Sequence, residues 1–77
     1  MRRSKKMDDF ISKAADILEC DVAGADFAFR DAPDWNSMKG FALLVMIEQD
    51  YGKRATIEEF MNCRTVRDLA VLAGAAE

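Results

Sequence analysis

The 77-residue sequence contains no histidine, so it lacks the side chain used most often as a general base and as a metal ligand. Its two cysteines, Cys20 and Cys63, are far apart and lack metal-ligand spacing, so no zinc site is expected. A chain of this length forms one small domain, 1–77, which has few side chains to spare for an enclosed substrate pocket. Together these absences argue against an enzyme.

Long apolar runs are also missing from the sequence. No stretch approaches the roughly 20 apolar residues that a membrane-spanning helix requires. The basic start of the chain is followed at once by Asp8 and Asp9, which is not the pattern of a signal peptide. We therefore expect a cytoplasmic protein in which the two cysteines are partly buried, unpaired thiols.

Positive charge is scarce beyond the first six residues. Four of the eleven basic residues lie there: Arg2, Arg3, Lys5 and Lys6. Residues 7–77 contain the other seven basic residues and all fourteen acidic residues, so this part of the chain carries a net charge of −7. An acidic body argues against nucleic acid as a partner, because phosphate binding needs a basic surface.

No segment shows sustained period-two alternation, whereas several show apolar residues at helical spacing. The sequence therefore predicts an all-α fold, a small four-helix bundle with three longer helices and one short one. The first helix should run from about Lys5 to Glu19, with Ser4 as its cap. The apolar face of that helix is predicted to comprise Phe10, Ile11, Ala14, Ala15, Ile17 and Leu18.

A long connection, from Cys20 to Asn36, follows the first helix and contains the single proline. A loop of this length in a small domain usually packs its own side chains or has a function. We expect a short helical turn around Ala25–Phe29 and at least one of the rings of Phe27 and Phe29 in the core.

The second helix should run from Ser37 to about Tyr51, and it carries two apolar stripes. The stripe predicted to face the bundle is Gly40, Leu43, Leu44, Ile47 and Tyr51. The second stripe is Met38, Phe41, Ala42 and Val45. A helix with two apolar stripes in so small a protein leaves one exposed for a partner, unless different helices bury both.

The rest of the chain contains two shorter predicted helices with caps. Thr56 should cap a helix from Ile57 to about Met61, and Thr65 with Asp68 resembles a capping box for a helix from Val66 to about Ala73. Gly74 should end the last helix, and Ala75–Glu77 should fray.

Ser37 stands at the junction between the aspartate-rich loop and the second helix. Its hydroxyl could cap the helix by accepting from N–H groups of the first turn. Most serines at a helix start are only caps, but this one could also be an attachment point, since an anion on that oxygen would meet the positive end of the helix dipole.

The segment around this serine resembles the acyl and peptidyl carrier proteins. The matching motifs are Asn36-Ser37-Met38, Glu48-Gln49-Asp50-Tyr51-Gly52, Thr56-Ile57-Glu58-Glu59 and Thr65-Val66-Arg67-Asp68-Leu69. The resemblance covers nearly the whole chain in the same helix order. It implies that Ser37 carries 4'-phosphopantetheine, installed from coenzyme A by a phosphopantetheinyl transferase, and that the protein catalyses nothing itself.

The same resemblance implies an acyl or aminoacyl thioester on the arm, presented to loading and transferring enzymes by a monomeric carrier in lipid or secondary-metabolite biosynthesis. Trp35 before the serine is similar to specialised stand-alone carriers, including aminoacyl and D-alanyl carriers, although its ring could instead close the loop over the helix end. The expected docking residues are Trp35, Asn36, Met38, Lys39, Phe41, Ala42 and Val45.

The main departure from the family pattern lies just before the serine. Asn36 replaces the aspartate that usually precedes the modified serine and that the transferase recognises. The alternative function is therefore an unmodified, carrier-like bundle that acts as an interaction or scaffold subunit.

Overall fold

The computed structural model describes residues 5–75, without the side chain of Lys5. It contains four α-helices and one short 3-10 helix. They are α1 (Lys5–Leu18), the 3-10 helix (Phe29–Asp31), α2 (Ser37–Tyr51), α3 (Ile57–Met61) and α4 (Val66–Ala73). Residues 5–75 form no β-strand, and the predicted all-α bundle with three longer helices and a short one is confirmed.

The core lies where α1, α2 and α4 pack against one another. From α1, Phe10, Ala14 and Leu18 are fully buried, while Ile11, Ala15 and Ile17 lie at its margin. The fully buried residues recur at every fourth position, so they form one narrow stripe of the helix. The remaining fully buried side chains are Phe29, Leu43, Ile47, Val66, Leu69 and Ala70.

Helix α1 ends one residue before the predicted Glu19, which adopts a left-handed conformation with φ of 58°. The Cys20 N–H donates to the Ala15 carbonyl at 3.3 Å, which closes the helix end. The predicted cap Ser4 lies outside the described residues.

The long connection is organised differently from the prediction. Its helical turn is a 3-10 helix at Phe29–Asp31, not around Ala25–Phe29. The reason is a tertiary contact: the N–H groups of Val66 and Arg67 donate to the carbonyls of Phe27 and Ala25, at 3.0 and 2.7 Å. These bonds hold residues 25–28, which include a turn closed by the Phe27 N–H and the Gly24 carbonyl at 3.2 Å, against the start of α4. Phe29 is fully buried as expected.

Both predicted caps of the shorter helices are confirmed. Thr56 forms a capping box with Glu59, and Thr65 forms one with Asp68. Hydrogen bonds from the N–H groups of Arg64 and Thr65 stabilise the Asp68 carboxylate, so the pKa of that carboxyl is lowered.

Helices α2 and α4 both end at glycines in the left-handed region, Gly52 and Gly74, with φ of 69° and 74°. The predicted fraying after Gly74 is wrong for Ala75. This residue is buried, and its N–H donates to the Ala70 carbonyl at 2.8 Å. Residues 76 and 77 lie outside the described part of the chain.

Candidate functional site

Ser37 is the first residue of α2, and it is exposed. The cap of this helix is the preceding residue, Asn36, whose side-chain oxygen accepts from the Lys39 N–H at 3.0 Å. The interpretation of Ser37 as the cap is therefore wrong, because the structure gives that role to Asn36. The Ser37 hydroxyl is not engaged in capping, and it stands at the positive end of a 15-residue helix.

The inward stripe of α2 is confirmed at Gly40, Leu43 and Ile47, all of which are buried. Leu44 and Tyr51, predicted for the same stripe, are only half-buried. Met46, which the stripe analysis left out, is buried. Leu44 lines two surface depressions beside α2, which leave its side chain partly open to solvent.

The second stripe of α2 is exposed at its beginning. Met38 and Phe41 keep 75% and 63% of their surface open to solvent. Ala42 and Val45 are half-buried. The exposed residues are those nearest Ser37, so the apolar surface adjoins the candidate attachment point.

A groove of about 460 Å³ runs between α2 and α3, with Ser37 on its rim. Its lining is mainly apolar: Arg30, Trp35, Ser37, Gly40, Phe41, Leu44, Ile57, Phe60 and Met61. A second depression of about 310 Å³ continues along α2 toward the Glu48–Arg54 ion pair. We call the larger depression the α2–α3 groove.

Gly40 lines this groove, and the backbone there is packed closely against two aromatic rings. A Cβ at this position would lie 3.3 Å from the rings of both Phe60 and Trp35. The Trp35 ring is half-buried and meets the Phe29 ring edge-on at 5.6 Å between centroids. The close approach at Gly40 therefore comes from Phe60 of α3 together with Trp35, whose ring closes the loop over the helix start.

Lys39 was expected to belong to the exposed docking surface, but its side chain is largely covered. Its side chain is only 13% exposed, and its ammonium donates to the carbonyls of Leu18 and Pro33, at 3.2 and 3.4 Å. It also lies 3.7 Å from the Glu19 carboxylate. A cation at the C-terminal end of α1 is favourable for that helix, so Lys39 joins the end of α1 to the start of α2.

Four residues that line the groove, Arg30, Ile57, Phe60 and Met61, were given no site role from the sequence. Ile57 and Met61 are both 64% exposed and form the far wall of the groove, opposite Phe41. Their four-residue spacing on α3 was the signal that could have revealed them. Arg30 had no such signal, because its partners are remote in the chain.

Both cysteines are free thiols; Cys20 is half-buried, as expected, whereas Cys63 is buried. Burial, with the Asp68 carboxylate as a smaller contributor, raises the pKa of the Cys63 thiol. Within residues 5–75 no three His, Cys, Asp or Glu side chains cluster as metal ligands would. That part of the chain also has no helix with the length and hydropathy to cross a bilayer.

A comparison with protein families gives one finding that bears on this geometry. The family model described as a phosphopantetheine attachment site matches residues 8–72. Neither the curated proteins nor the solved structures include a significant match. The matched range spans α2, α3 and the groove between them.

Proposed function

Because this chain belongs to the family defined by the phosphopantetheine attachment site, we propose that it carries the arm on Ser37 and holds an acyl or aminoacyl thioester there. Members of the family bind 4'-phosphopantetheine covalently and are carriers without catalytic activity of their own. The arm supplies the thiol that forms the thioester. The chain's own residues hold, orient and present it.

The surroundings of Ser37 fit a phosphodiester. The hydroxyl is exposed, and the N–H groups of Ser37 and Met38 have no acceptor within the helix, since the first bond of the helix joins Gly40 to Asn36. Unpaired N–H groups and the positive dipole end favour an anion at this point. The nearest lysine of the turn, Lys39, is directed away toward α1, so the helix end is the main source of positive field.

The position of Ser37 beside an apolar groove is the observation that carries the proposal. The other described serine, Ser12, lies within α1, away from the residues that line the groove. The exposed side chain of Phe41 and the α3 residues Ile57 and Met61 line the same groove as Ser37, so they would be available to contact an arm on that serine. The attachment point and the docking surface are therefore adjacent.

We propose that partner enzymes dock on both walls of the α2–α3 groove. These partners are the phosphopantetheinyl transferase and the enzymes that load the acyl or aminoacyl group or transfer it onward. The exposed residues of the surface are Met38, Phe41, Ile57 and Met61, bordered by Ala42 and Val45. Exposed apolar patches mark such sites, and a small interface suits partners that must bind and leave in turn.

Within this surface, Trp35 and Asn36 are assigned to shaping the helix start, and Lys39 is left out because its ammonium is already bound. We place the carrier in the cytoplasm, since both cysteines are unpaired, as is usual in a reducing compartment.

Coexpression with a broad-specificity phosphopantetheinyl transferase tests the proposed function. The intact mass of the protein should rise by one phosphopantetheine group, and peptide mapping should place that group on the segment containing Ser37. A correctly folded protein whose mass does not change would contradict the proposal and favour the unmodified scaffold.

Asn36→Asp is expected to speed loading by the transferase, because it restores a carboxylate beside Ser37. Folding should change by less than about 1 kcal/mol: the new side chain keeps the bond from the Lys39 N–H, and a negative charge at a helix start contributes roughly 0.3–1 kcal/mol. It loses the weak donation from the amide to the Asp34 carbonyl at 3.3 Å. The measurement is the initial rate of arm transfer at subsaturating carrier.

Gln49→Glu is the matched control for this change, since it adds one carboxylate to the exposed far end of α2. Only Asn36→Asp should load faster. Equal, rapid loading of the wild type and Asn36→Asp would show that asparagine already suffices. No loading of either folded protein would favour the scaffold function.

A further inference from the structure

We propose that Arg30 is a positioning residue that holds α3 in place as the outer wall of the α2–α3 groove. The inference rests on the proposed function for its meaning, since the groove is the docking surface. Its structural part concerns the chain alone and can be measured without any partner.

Helix α3 is weakly supported by the other helices. It has five residues, whereas α1, α2 and α4 pack extensively against one another. An isolated helix of this length is not stable in water, so other contacts must hold it. Its one buried anchor is Phe60, which lies over Gly40 and beside Phe29.

Arg30 bonds to the main chain at the end of α3. One terminal nitrogen of its guanidinium donates to the Phe60 carbonyl at 3.1 Å, and the other donates to the Cys63 carbonyl. The Phe60 carbonyl belongs to the last turn of α3, and that of Cys63 lies in the link to α4. A single side chain from the 3-10 helix therefore fixes the point where α3 turns back toward α4.

The planar shape of the guanidinium matters for this arrangement. Its central carbon lies 4.8 Å from the Phe29 ring centroid and 5.3 Å from that of Phe60. A flat, weakly hydrated cation can contact both rings while its two nitrogens reach two carbonyls. A lysine ammonium is compact and cannot make both sets of contacts at once.

Arg30 also lines the α2–α3 groove together with Ser37. Loss of the Arg30 hydrogen bonds would make the end of α3 mobile, together with Ile57 and Met61, which form the outer wall of the groove. The docking surface would then have to be ordered when a partner binds, and part of the binding free energy would be lost to that ordering. Arg30 thus keeps the surface preformed.

Amide hydrogen exchange on the unmodified chain tests the structural part. Arg30→Met keeps an apolar stem against the rings but removes both hydrogen bonds. Exchange at the N–H groups of Phe60, Asn62 and Cys63 should become roughly 10- to 100-fold faster, since bonds from charged donors are the stronger ones. Exchange at Leu43 and Ile47 of α2 should change less than twofold.

Arg67→Met is the matched control, because it removes an exposed arginine whose side chain bonds to Asp26 in the long connection and not to the main chain of α3. It should leave exchange in α3 unchanged. The inference is overturned if Arg30→Met leaves α3 protection intact, or if it raises exchange equally in α1, α2 and α4. Full recovery of protection in Arg30→Lys would overturn the role of the planar guanidinium.

A kinetic measurement tests the link to docking. With coenzyme A and a broad-specificity transferase, Arg30→Met should raise the KM for the carrier about three- to tenfold and leave kcat unchanged. An unchanged KM in a variant with faster α3 exchange would overturn the link to docking. If the wild type is never loaded, the proposed function fails, while the exchange result still decides whether Arg30 holds α3.

Discussion

Ser37→Ala is expected to abolish loading completely. The hydroxyl oxygen is the proposed attachment atom, and alanine offers none. After coexpression with the transferase, the intact mass should show no added phosphopantetheine group, compared with full or substantial modification of the wild type. Ser12→Ala is the matched control, because it removes the other described serine from an exposed position on α1, and it should load normally.

The same substitution should hardly affect folding. Asn36, not Ser37, accepts the hydrogen bond from the Lys39 N–H, so the helix cap remains. We expect the free energy of unfolding to change by less than about 0.5 kcal/mol, against roughly 1 kcal/mol for Asn36→Ala, which does remove the cap. A Ser37→Ala protein that still carried the arm would move the attachment site to another hydroxyl.

Leu43→Asp is expected to unfold the domain, whereas Phe41→Asp should leave it folded. Leu43 is fully buried between the helices, so aspartate there would be an unpaired charge in the core. The loss, on the order of 5 kcal/mol, is comparable with the whole stability of a small domain. Phe41 is 63% exposed, so its replacement should cost less than about 1 kcal/mol. Thermal unfolding followed by circular dichroism measures both.

Phe41→Asp should nevertheless weaken docking. A central apolar residue of an interface contributes on the order of 2 kcal/mol, which corresponds to a KM for the carrier roughly 30-fold higher with the transferase. Val71→Asp is the matched control, since Val71 is 62% exposed on α4 and lines neither depression. Denaturation by Phe41→Asp, or an equal rise in KM for Val71→Asp, would contradict the proposed docking surface.

Leu44→Asp would be a weaker test of the core, although the stripe pattern predicted that Leu44 faces the bundle. Leu44 is half-buried and borders both depressions, so its replacement would disturb packing and docking together. Substitutions at Leu43 and Phe41 separate the effect on packing from the effect on docking, because Leu43 is fully buried and Phe41 is mostly exposed.

The helices and their ends could be predicted from the sequence because their causes are local. Thr56 and Thr65 each bond to a residue three positions on, and Gly52 and Gly74 adopt the left-handed conformation that glycine allows. The boundaries of α2, α3 and α4 agree with the prediction to the residue. The candidate serine was likewise identified from its immediate neighbours.

Contacts between distant segments decided what the sequence left open. Lys39 was expected on the surface, yet its ammonium reaches the Leu18 carbonyl at the end of α1, 21 residues away. Arg30 bonds to carbonyls 30 and 33 residues on, and nothing in its local sequence marks it. The 3-10 helix was displaced for the same reason, by bonds between the loop and the start of α4.

By itself, the sequence determined an acidic helical bundle with a serine at the start of its most apolar helix, because periodicity and capping act within a few residues. Only the tertiary structure decided that α3 supplies the second wall of a groove beside Ser37 and that Arg30 fixes that wall. Such features depend on which residues come into contact after the chain folds. The pattern of side chains along one helix does not indicate which other segments will pack against it.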